Sequence, residues 1–212
     1  MAVRFLDMEQ YKRRAHFEYF RSLAYPYVGV TCEVEVTKML RYCQNWGRSF
    51  YLACIHAVAL AADSVPELRQ RIRGNRIVEY DACPTSHIEL EKEGTYHYCT
   101  LHHDMDLDRY FETAEEARHA CRTAGVEEDD EVESAYFISV LPWLHYTSLI
   151  QPAAGGEESN PRITWGRYDL SASGEARMPV SILAHHALVD GIHIAQFYDR
   201  LKNEIEKFAL EG

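Results

Sequence analysis

Apolar and polar side chains alternate along several stretches of the chain, and this alternation predicts β-strands. In the clearest stretch, from Val28 to Val36, every second residue is apolar or cysteine, as in a strand with one buried face. The same pattern predicts further strands over residues 76–80, 86–91, 95–101, 135–141, 146–150, 162–170 and 179–185. These strands together provide enough segments for one large sheet.

Helical patterns lie between the strands. Asp7 and Gln10 have the spacing of a capping box and predict a first helix that continues to about Leu23. Further helices are predicted to begin at Thr37, Ser64 and Gly191 and to cover residues 49–62 and 108–122. The segment 49–62 is apolar on nearly all sides, so we expect its helix to be buried.

The order of these elements predicts an α+β fold. Helices and strands are mixed without a strict βαβ alternation, which favours a two-layer sandwich of helices on a large mixed, mainly antiparallel sheet. No repeat, low-complexity tract or linker rich in Pro, Gly and Ser divides the chain. We therefore expect a single domain over residues 1–212.

The charge balance narrows the possible partners. Lys and Arg number 22 against 33 Asp and Glu, which gives a formal net charge of −11. This argues against a nucleic-acid partner, because phosphate binding depends on clustered Lys and Arg. No apolar run reaches the roughly 20 residues of a membrane helix, and the first residues lack the apolar core of a secretory signal. We expect a cytoplasmic protein without a membrane partner.

Two adjacent histidines, His185 and His186, precede Asp190 and Gly191 where a predicted strand runs into the last helix. Histidine is the side chain most readily used as a general base near neutral pH. A base must be held in one tautomer and orientation, and a carboxylate four residues later can organise the turn that holds it. A histidine pair alone is weak evidence, but Asp190 and Gly191 behind it favour a catalytic base.

Several motifs, in chain order, resemble those of the chloramphenicol acetyltransferase family. They are a basic-aromatic segment at residues 11–17, Ser-x-x-Pro-Trp at 139–143, Thr-x-Gly-Arg-Tyr at 164–168 and His-His-x-x-x-Asp-Gly at 185–191. The last motif is shared by dihydrolipoyl acyltransferases and peptide-synthetase condensation domains, so the ordered set is the more specific signal. The resemblance covers nearly the whole chain and weakens before Tyr11 and between Leu101 and Val132.

The resemblance implies how the catalytic residues act. His186 would be the general base that takes a proton from an acceptor hydroxyl, and Ser139 would donate a hydrogen bond to the oxyanion that develops on the thioester. Asp190 would pair with Arg13 and hold the loop that carries His186. Acetyl-CoA would be a co-substrate in a ternary complex, and no cofactor would be bound permanently.

The resemblance also implies two substrate-binding walls. The residues toward acetyl-CoA would be Trp143, Thr164, Arg167 and Tyr168, with Thr164 holding a water near the intermediate. The pocket for a small-molecule hydroxyl acceptor would be lined by Phe20, Ala24, Pro26, Val28 and Phe137. Pro26 and Val28 stand where well-known family members have a cysteine and an aromatic residue, so chloramphenicol and an unrelated acceptor both stay open.

The resemblance implies a homotrimer whose active sites lie at the subunit interfaces. A non-catalytic relative that binds a ligand on the same fold is a further alternative, which the four predicted catalytic residues disfavour. His102, His103 and Asp104 could suggest a metal site, but the sequence shows no compact set of three ligands, and no metal is expected.

Overall fold

The protein is described by a computed structural model that covers residues 2–90, 96–122, 132–153 and 155–209. The strands over these residues are β1 (Val3–Phe5), β2 (Tyr27–Glu35), β3 (Gln70–Arg73), β4 (Arg76–Tyr80), β5 (Thr85–Leu90), β6 (Tyr96–Leu101), β7 (Tyr136–Leu141), β8 (Arg162–Gly166), β9 (Asp169–Leu170) and β10 (Ala176–His185). The helices are α1 (Arg14–Arg21), α2 (Thr37–Trp46), α3 (Phe50–Asp63), α4 (Leu107–Cys121) and α5 (Gly191–Lys207).

Seven strands form one large mixed sheet. Its order is β2-β10-β8-β7-β5-β6, with β9 added alongside β10, while β1, β4 and β3 form a small separate sheet. Strand β7 runs parallel to β5 and β8, and the other pairs of the large sheet are antiparallel. The predicted α+β fold, with helices on a mixed and mainly antiparallel sheet, is confirmed.

The two faces of the large sheet differ in chemistry. Along β10, Val180, Ile182 and Ala184 are almost fully buried in the same apolar core as residues of α3 and α5. The alternate position Ser181 lies on the opposite face, where its register partners are Thr31 of β2 and Thr164 of β8. Since successive side chains of a strand point to opposite faces, this face carries a row of hydroxyl groups across the sheet.

The buried helix predicted over residues 49–62 is present as α3. Ser49 caps its N-terminus by accepting a hydrogen bond from the Leu52 amide at 3.4 Å, and ten of its residues are buried. α4 begins in the same way, after Asp106, whose carboxylate accepts from the Arg109 amide at 3.0 Å. No helix among the described residues is long and apolar enough to cross a membrane.

The predicted start of the first helix, at Asp7, is wrong. The Asp7 carboxylate accepts a hydrogen bond from the Glu9 amide at 2.9 Å and closes a local turn, and helix α1 begins only at Arg14. A short Asp side chain that bonds to the nearby main chain offers the backbone an alternative to a helix. The helix predicted at Ser64 is a single 3-10 turn, Pro66–Arg69.

The strand predicted at residues 146–150 does not form, and strands β1 and β3 were not predicted. Residues 146–150 form a loop instead, in which the Tyr146 hydroxyl donates to the Thr164 main-chain oxygen at 3.0 Å. The long strand predicted over 162–170 is divided into β8 and β9 by Arg167 and Tyr168. Alternating side chains alone do not decide whether a segment finds a main-chain partner.

Candidate active site

The histidine pair lies where β10 ends and α5 is about to begin, as the sequence predicts. His185 is paired with Tyr27 at the end of the sheet, and the His186 amide donates to the Pro26 carbonyl oxygen at 2.7 Å. The amides of Leu188 and Val189 turn back to the His185 carbonyl oxygen, each at 3.0 Å. The chain therefore reverses within a few residues on a turn fixed by main-chain hydrogen bonds.

His185 is a structural residue of this turn. Its ring is buried, with Nδ1 accepting a hydrogen bond from the Ala187 amide at 3.1 Å and Nε2 lying 2.9 Å from the Gly156 carbonyl oxygen. Burial lowers the pKa of His185, which keeps the ring neutral. Since both ring nitrogens are engaged, His185 has no free position for proton transfer.

His186 has the arrangement of a general base. Its Nδ1 lies 2.9 Å from the Val189 carbonyl oxygen and 3.3 Å from Asp190 Oδ1. Both neighbours only accept hydrogen bonds, so we assign a proton to Nδ1. In the neutral ring, Nε2 is then the nitrogen that accepts. The ring stacks on Phe20 with centroids 3.8 Å apart, and 28% of the side chain is exposed. His186 can therefore reach a ligand in one defined tautomer.

Asp190 forms an ion pair with Arg13, the pairing that the resemblance implies. Arg13 Nη2 lies 2.8 Å from Asp190 Oδ2, and Arg13 Nη1 donates to the Leu188 carbonyl oxygen. The guanidinium thus joins α1 to both sides of the turn that carries His186. On the other side, the Asp190 amide donates to His193 Nδ1 at 2.9 Å within a capping box at the start of α5.

A second group of predicted residues lies together elsewhere in the fold. Ser139, Trp143, Arg167 and Tyr168 line a cavity of about 630 Å³, a volume within the range of small-molecule sites. Strands β5 and β7 are paired only from Thr85 to His87, and the cavity is lined by the residues of both strands beyond that point. The separation of two neighbouring strands therefore creates the opening.

Thr164 lies beside Ser139, because the two are register partners on β8 and β7. Thr164 is buried, and its hydroxyl donates to Gln151 Oε1 at 3.0 Å. Ser139 is exposed. Sequence reasoning missed Gln151, because a glutamine in a loop carries no motif and its contact with Thr164 exists only in the folded chain.

A buried carboxylate in the wall of the same cavity was also not predicted. Glu89 receives hydrogen bonds from Arg118 Nε at 2.6 Å and Arg122 Nη2 at 3.0 Å. Burial acts to raise the pKa of Glu89, but the hydrogen bonds from His87 and the two arginines outweigh it and hold that pKa well below its ordinary value. Glu89 is therefore a fixed negative charge that anchors α4 to the sheet.

The predicted acceptor residues lie on different elements of the fold. Phe20 and Pro26 contact His186 directly, and Ala24 and Val28 flank Pro26 along the chain, Val28 on β2. Phe137 instead lies on β7, where the Arg162 guanidinium stacks over its ring at 4.9 Å. Phe137 thus lies on the same strand as Ser139, whereas Phe20 and Pro26 contact His186.

In the histidine-rich segment at 102–104, His103 is part of a hydrogen-bonded core, whereas His102 and Asp104 are exposed. His103 Nε2 lies 2.8 Å from Asp63 Oδ2, and the Tyr136 hydroxyl donates to Asp63 Oδ1 at 2.7 Å. Over the described ranges, no three His, Cys, Asp or Glu side chains form a cluster that could hold a metal ion.

Comparison with known sequences shows similarity along almost the entire chain. The family profile described as chloramphenicol acetyltransferase matches residues 1–202. A chloramphenicol acetyltransferase of Proteus mirabilis is 28% identical over 211 residues, covering 98% of this chain and 94% of the relative. One from Streptomyces acrimycini is 27% identical and covers 95% of this chain and 91% of the relative.

Solved structures agree with this similarity. A chloramphenicol acetyltransferase matches with a TM-score of 0.84 at 25% identity, covering 96% of this chain and 100% of that structure. A probable dihydrolipoamide acetyltransferase from Listeria monocytogenes has a TM-score of 0.71 at 13% identity, covering 98% of this chain and 95% of its own, and shares the fold. The chain is an acyltransferase and belongs to the chloramphenicol acetyltransferase family.

Proposed function

We propose that the protein is an acetyl-CoA-dependent O-acetyltransferase that acetylates a hydroxyl of chloramphenicol or a similar small molecule. The observation that carries this proposal is the state of His186, whose Nδ1 faces the Val189 carbonyl oxygen at 2.9 Å and leaves Nε2 free to accept a proton. The reaction type is supported by the relatives in Proteus mirabilis and Streptomyces acrimycini, which are chloramphenicol acetyltransferases.

In the proposed reaction, His186 Nε2 takes the proton of the acceptor hydroxyl while the oxygen attacks the thioester carbonyl carbon of acetyl-CoA. A C–O bond forms, and the carbonyl oxygen becomes an oxyanion that the Ser139 hydroxyl stabilises. The C–S bond then breaks, and the departing CoA sulfur receives the proton from His186. A single preorganised donor at an oxyanion contributes about 2.7–4 kcal/mol to catalysis.

Asp190 and Arg13 are assigned to positioning. The Val189 carbonyl oxygen lies closer to His186 Nδ1 than the Asp190 carboxylate does, 2.9 against 3.3 Å. The carboxylate instead makes its shortest contact with Arg13, at 2.8 Å. We therefore assign the tautomer of His186 to the main chain and the rigidity of its turn to the ion pair, with no proton passing to Asp190.

The cavity lined by Ser139 is assigned to acetyl-CoA. Trp143 and Tyr168 offer aromatic surface to the pantetheine arm and the adenine. Arg167 offers a planar cation to a phosphate, in a geometry that suits bidentate binding. Next to Ser139, Thr164 would hold a water near the tetrahedral intermediate. Acetyl-CoA enters as a co-substrate.

The separation of the two groups supports an active site shared between subunits. Ser181 lies four residues before His185 on β10. Its register partner on β8 is Thr164, and the register partner of Thr164 on β7 is Ser139. Strand geometry then places the Cα atoms of His185 and Ser139 roughly 16 Å apart. One thioester cannot touch both side chains in a single chain, so we propose that His186 of one copy serves the cavity of another.

An exposed apolar surface provides a place for that second copy. Ile88 and Leu90 on β5 and Tyr96 on β6 are 46%, 59% and 41% exposed. Ile88 and Leu90 lie on the sheet face that carries Ser139 and also line the cavity assigned to acetyl-CoA, so this surface is continuous with that cavity. Large contiguous apolar surfaces of this kind mark protein interfaces or ligand grooves. We propose that this face is covered in a homotrimer, as the resemblance implies.

One contact favours an acceptor more polar than chloramphenicol as a second candidate. Phe137, predicted as apolar wall, carries the Arg162 guanidinium over its ring at 4.9 Å, and Arg162 is paired with Glu158. A charged pair over the aromatic wall would favour an acceptor with polar or charged groups near the hydroxyl that is acetylated.

The test is to mix the purified protein with acetyl-CoA and follow free thiol with and without chloramphenicol. We expect thiol release that depends on the drug and is lost in His186→Ala. Absence of release with the drug, but release with a more polar hydroxyl compound, would select the second candidate. Absence of release with every acceptor and no binding of acetyl-CoA in calorimetry would overturn the proposed function.

A further inference from the structure

The loop between β7 and β8 is anchored on Thr164 at two points. The Tyr146 hydroxyl donates to the Thr164 main-chain oxygen at 3.0 Å, and the Thr164 hydroxyl donates to Gln151 Oε1, also at 3.0 Å. The Ser181 hydroxyl, in turn, donates to the Tyr146 hydroxyl at 3.2 Å and contacts Thr31 at 2.7 Å. The loop and three strands thus form one hydrogen-bonded layer next to Ser139.

The contact with Gln151 determines what Thr164 can offer to a ligand. A hydroxyl group has one proton and two lone pairs. The amide oxygen of Gln151 accepts only, so the contact at 3.0 Å requires the proton of Thr164 to point toward Gln151. Thr164 then has only lone pairs left for its neighbours. In this state the side chain cannot donate to an oxyanion, but it can accept from a molecule that does.

We propose that Gln151 is a positioning residue of acetyl transfer that acts through Thr164. This inference rests on the proposed function. Gln151 fixes the direction of a short chain of hydrogen bonds, in which a water donates one proton to Thr164 Oγ1 and the other to the oxyanion. Thr164 and Ser139 are register partners on one sheet face, so the water and the Ser139 hydroxyl would approach the oxyanion from neighbouring positions.

The alternative is that Gln151 acts by itself. Its Nε2 has no hydrogen-bond partner among residues 2–90, 96–122, 132–153 and 155–209, so this amide could donate to a substrate directly. The two roles differ in one respect: a residue that acts through Thr164 loses its effect once the Thr164 hydroxyl is gone, whereas a direct donor keeps it. A double-mutant cycle measures that difference.

The kinetic experiment compares Gln151→Met, Thr164→Val and the double variant. Methionine has nearly the same length as glutamine without the amide, so the loop keeps its packing. We expect Gln151→Met to lower kcat about tenfold, in the range of one uncharged hydrogen bond, with the KM for acetyl-CoA unchanged. In the Thr164→Val background the same substitution should change kcat less than twofold. Ser148→Ala, an exposed position in the same loop, is the control and should keep wild-type kcat.

A full tenfold loss in the Thr164→Val background would overturn the proposal and assign Gln151 a direct contact with substrate. A rise in KM or a lower Tm with unchanged kcat would show a structural role only. High-resolution crystal structures of the wild type and Gln151→Met provide a readout that does not need turnover. We expect a water on Thr164 Oγ1 that is lost or displaced in the variant. An identical water in both would refute the positioning role, even if every acceptor failed and the proposed function fell.

Discussion

Substitution of Asp190 by asparagine tests whether its carboxylate positions His186 or takes part in the chemical step. The change removes the negative charge that faces Arg13 Nη2 at 2.8 Å. It leaves the Val189 carbonyl oxygen 2.9 Å from His186 Nδ1, so the tautomer of His186 should survive. We therefore expect Asp190→Asn to loosen the turn without removing the base.

The size of the effect follows from the burial of the pair. Hydrogen bonds to charged groups contribute about 1.5–3 kcal/mol to stability, and exposed ion pairs contribute about 0–1 kcal/mol. The Arg13 and Asp190 side chains are 19% and 34% exposed, which places the pair between these limits. We expect the free energy of unfolding to fall by about 1–2 kcal/mol and kcat to fall about tenfold, one decade for each 1.4 kcal/mol lost from positioning.

The assay combines urea unfolding with steady-state thiol release, measured in parallel on wild type and variant. Glu206→Gln is the matched control, because it removes an ion pair with Lys38 in which both partners are almost half exposed. We expect this control to change neither kcat nor the unfolding midpoint. A loss of about 10⁴-fold in kcat at unchanged stability, the loss seen when a triad aspartate sets the tautomer of its histidine, would refute the positioning role.

Four further predictions concern the base, the oxyanion, pH and assembly. His186→Ala should abolish turnover while calorimetry still detects acetyl-CoA binding. Ser139→Ala should lower kcat by about 10²–10³-fold with little change in either KM. His56 is buried, and burial lowers its pKa from 6.5 to about 4. Because the folded state favours the neutral ring, the stability that this gives is present above pH 6.5 and is lost as the pH falls from there toward 4. Between pH 7 and pH 5 the wild type should lose about 2 kcal/mol of unfolding free energy that His56→Phe does not lose. Leu90→Asp should convert a trimer into monomers in sedimentation analysis and remove activity.

Each of these predictions has an outcome that contradicts it. Near wild-type activity of His186→Ala would exclude His186 as the base, and a change in KM alone for Ser139→Ala would make it a pocket-wall residue. Equal loss of stability in wild type and His56→Phe would assign the pH dependence to other groups. Monomers of Leu90→Asp that keep full turnover would show that one chain holds a complete site.

Local pattern was enough to predict much of the fold. The alternation from Val28 to Val36 predicted β2, and the continuous apolar run at 49–62 predicted the buried helix α3, because both depend on which side chains avoid water. Residues 146–150 show where this reasoning fails. A strand also needs a main-chain partner, and whether one is available depends on parts of the chain that are distant in sequence.

The candidate site likewise combines features that sequence motifs predict with features that only the fold reveals. The motif around His185 and His186, with the ordered segments that resemble the family, was sufficient to predict the Arg13–Asp190 pair. The same motif is the source of the proposal that His186 is the base. The tertiary structure alone decided that His185 is engaged at both nitrogens and that Gln151 holds the Thr164 proton. It also decided that Glu89 is a charged anchor between two arginines. Hydrogen-bond partners are fixed by positions in space, and a sequence motif records them only where they are close along the chain.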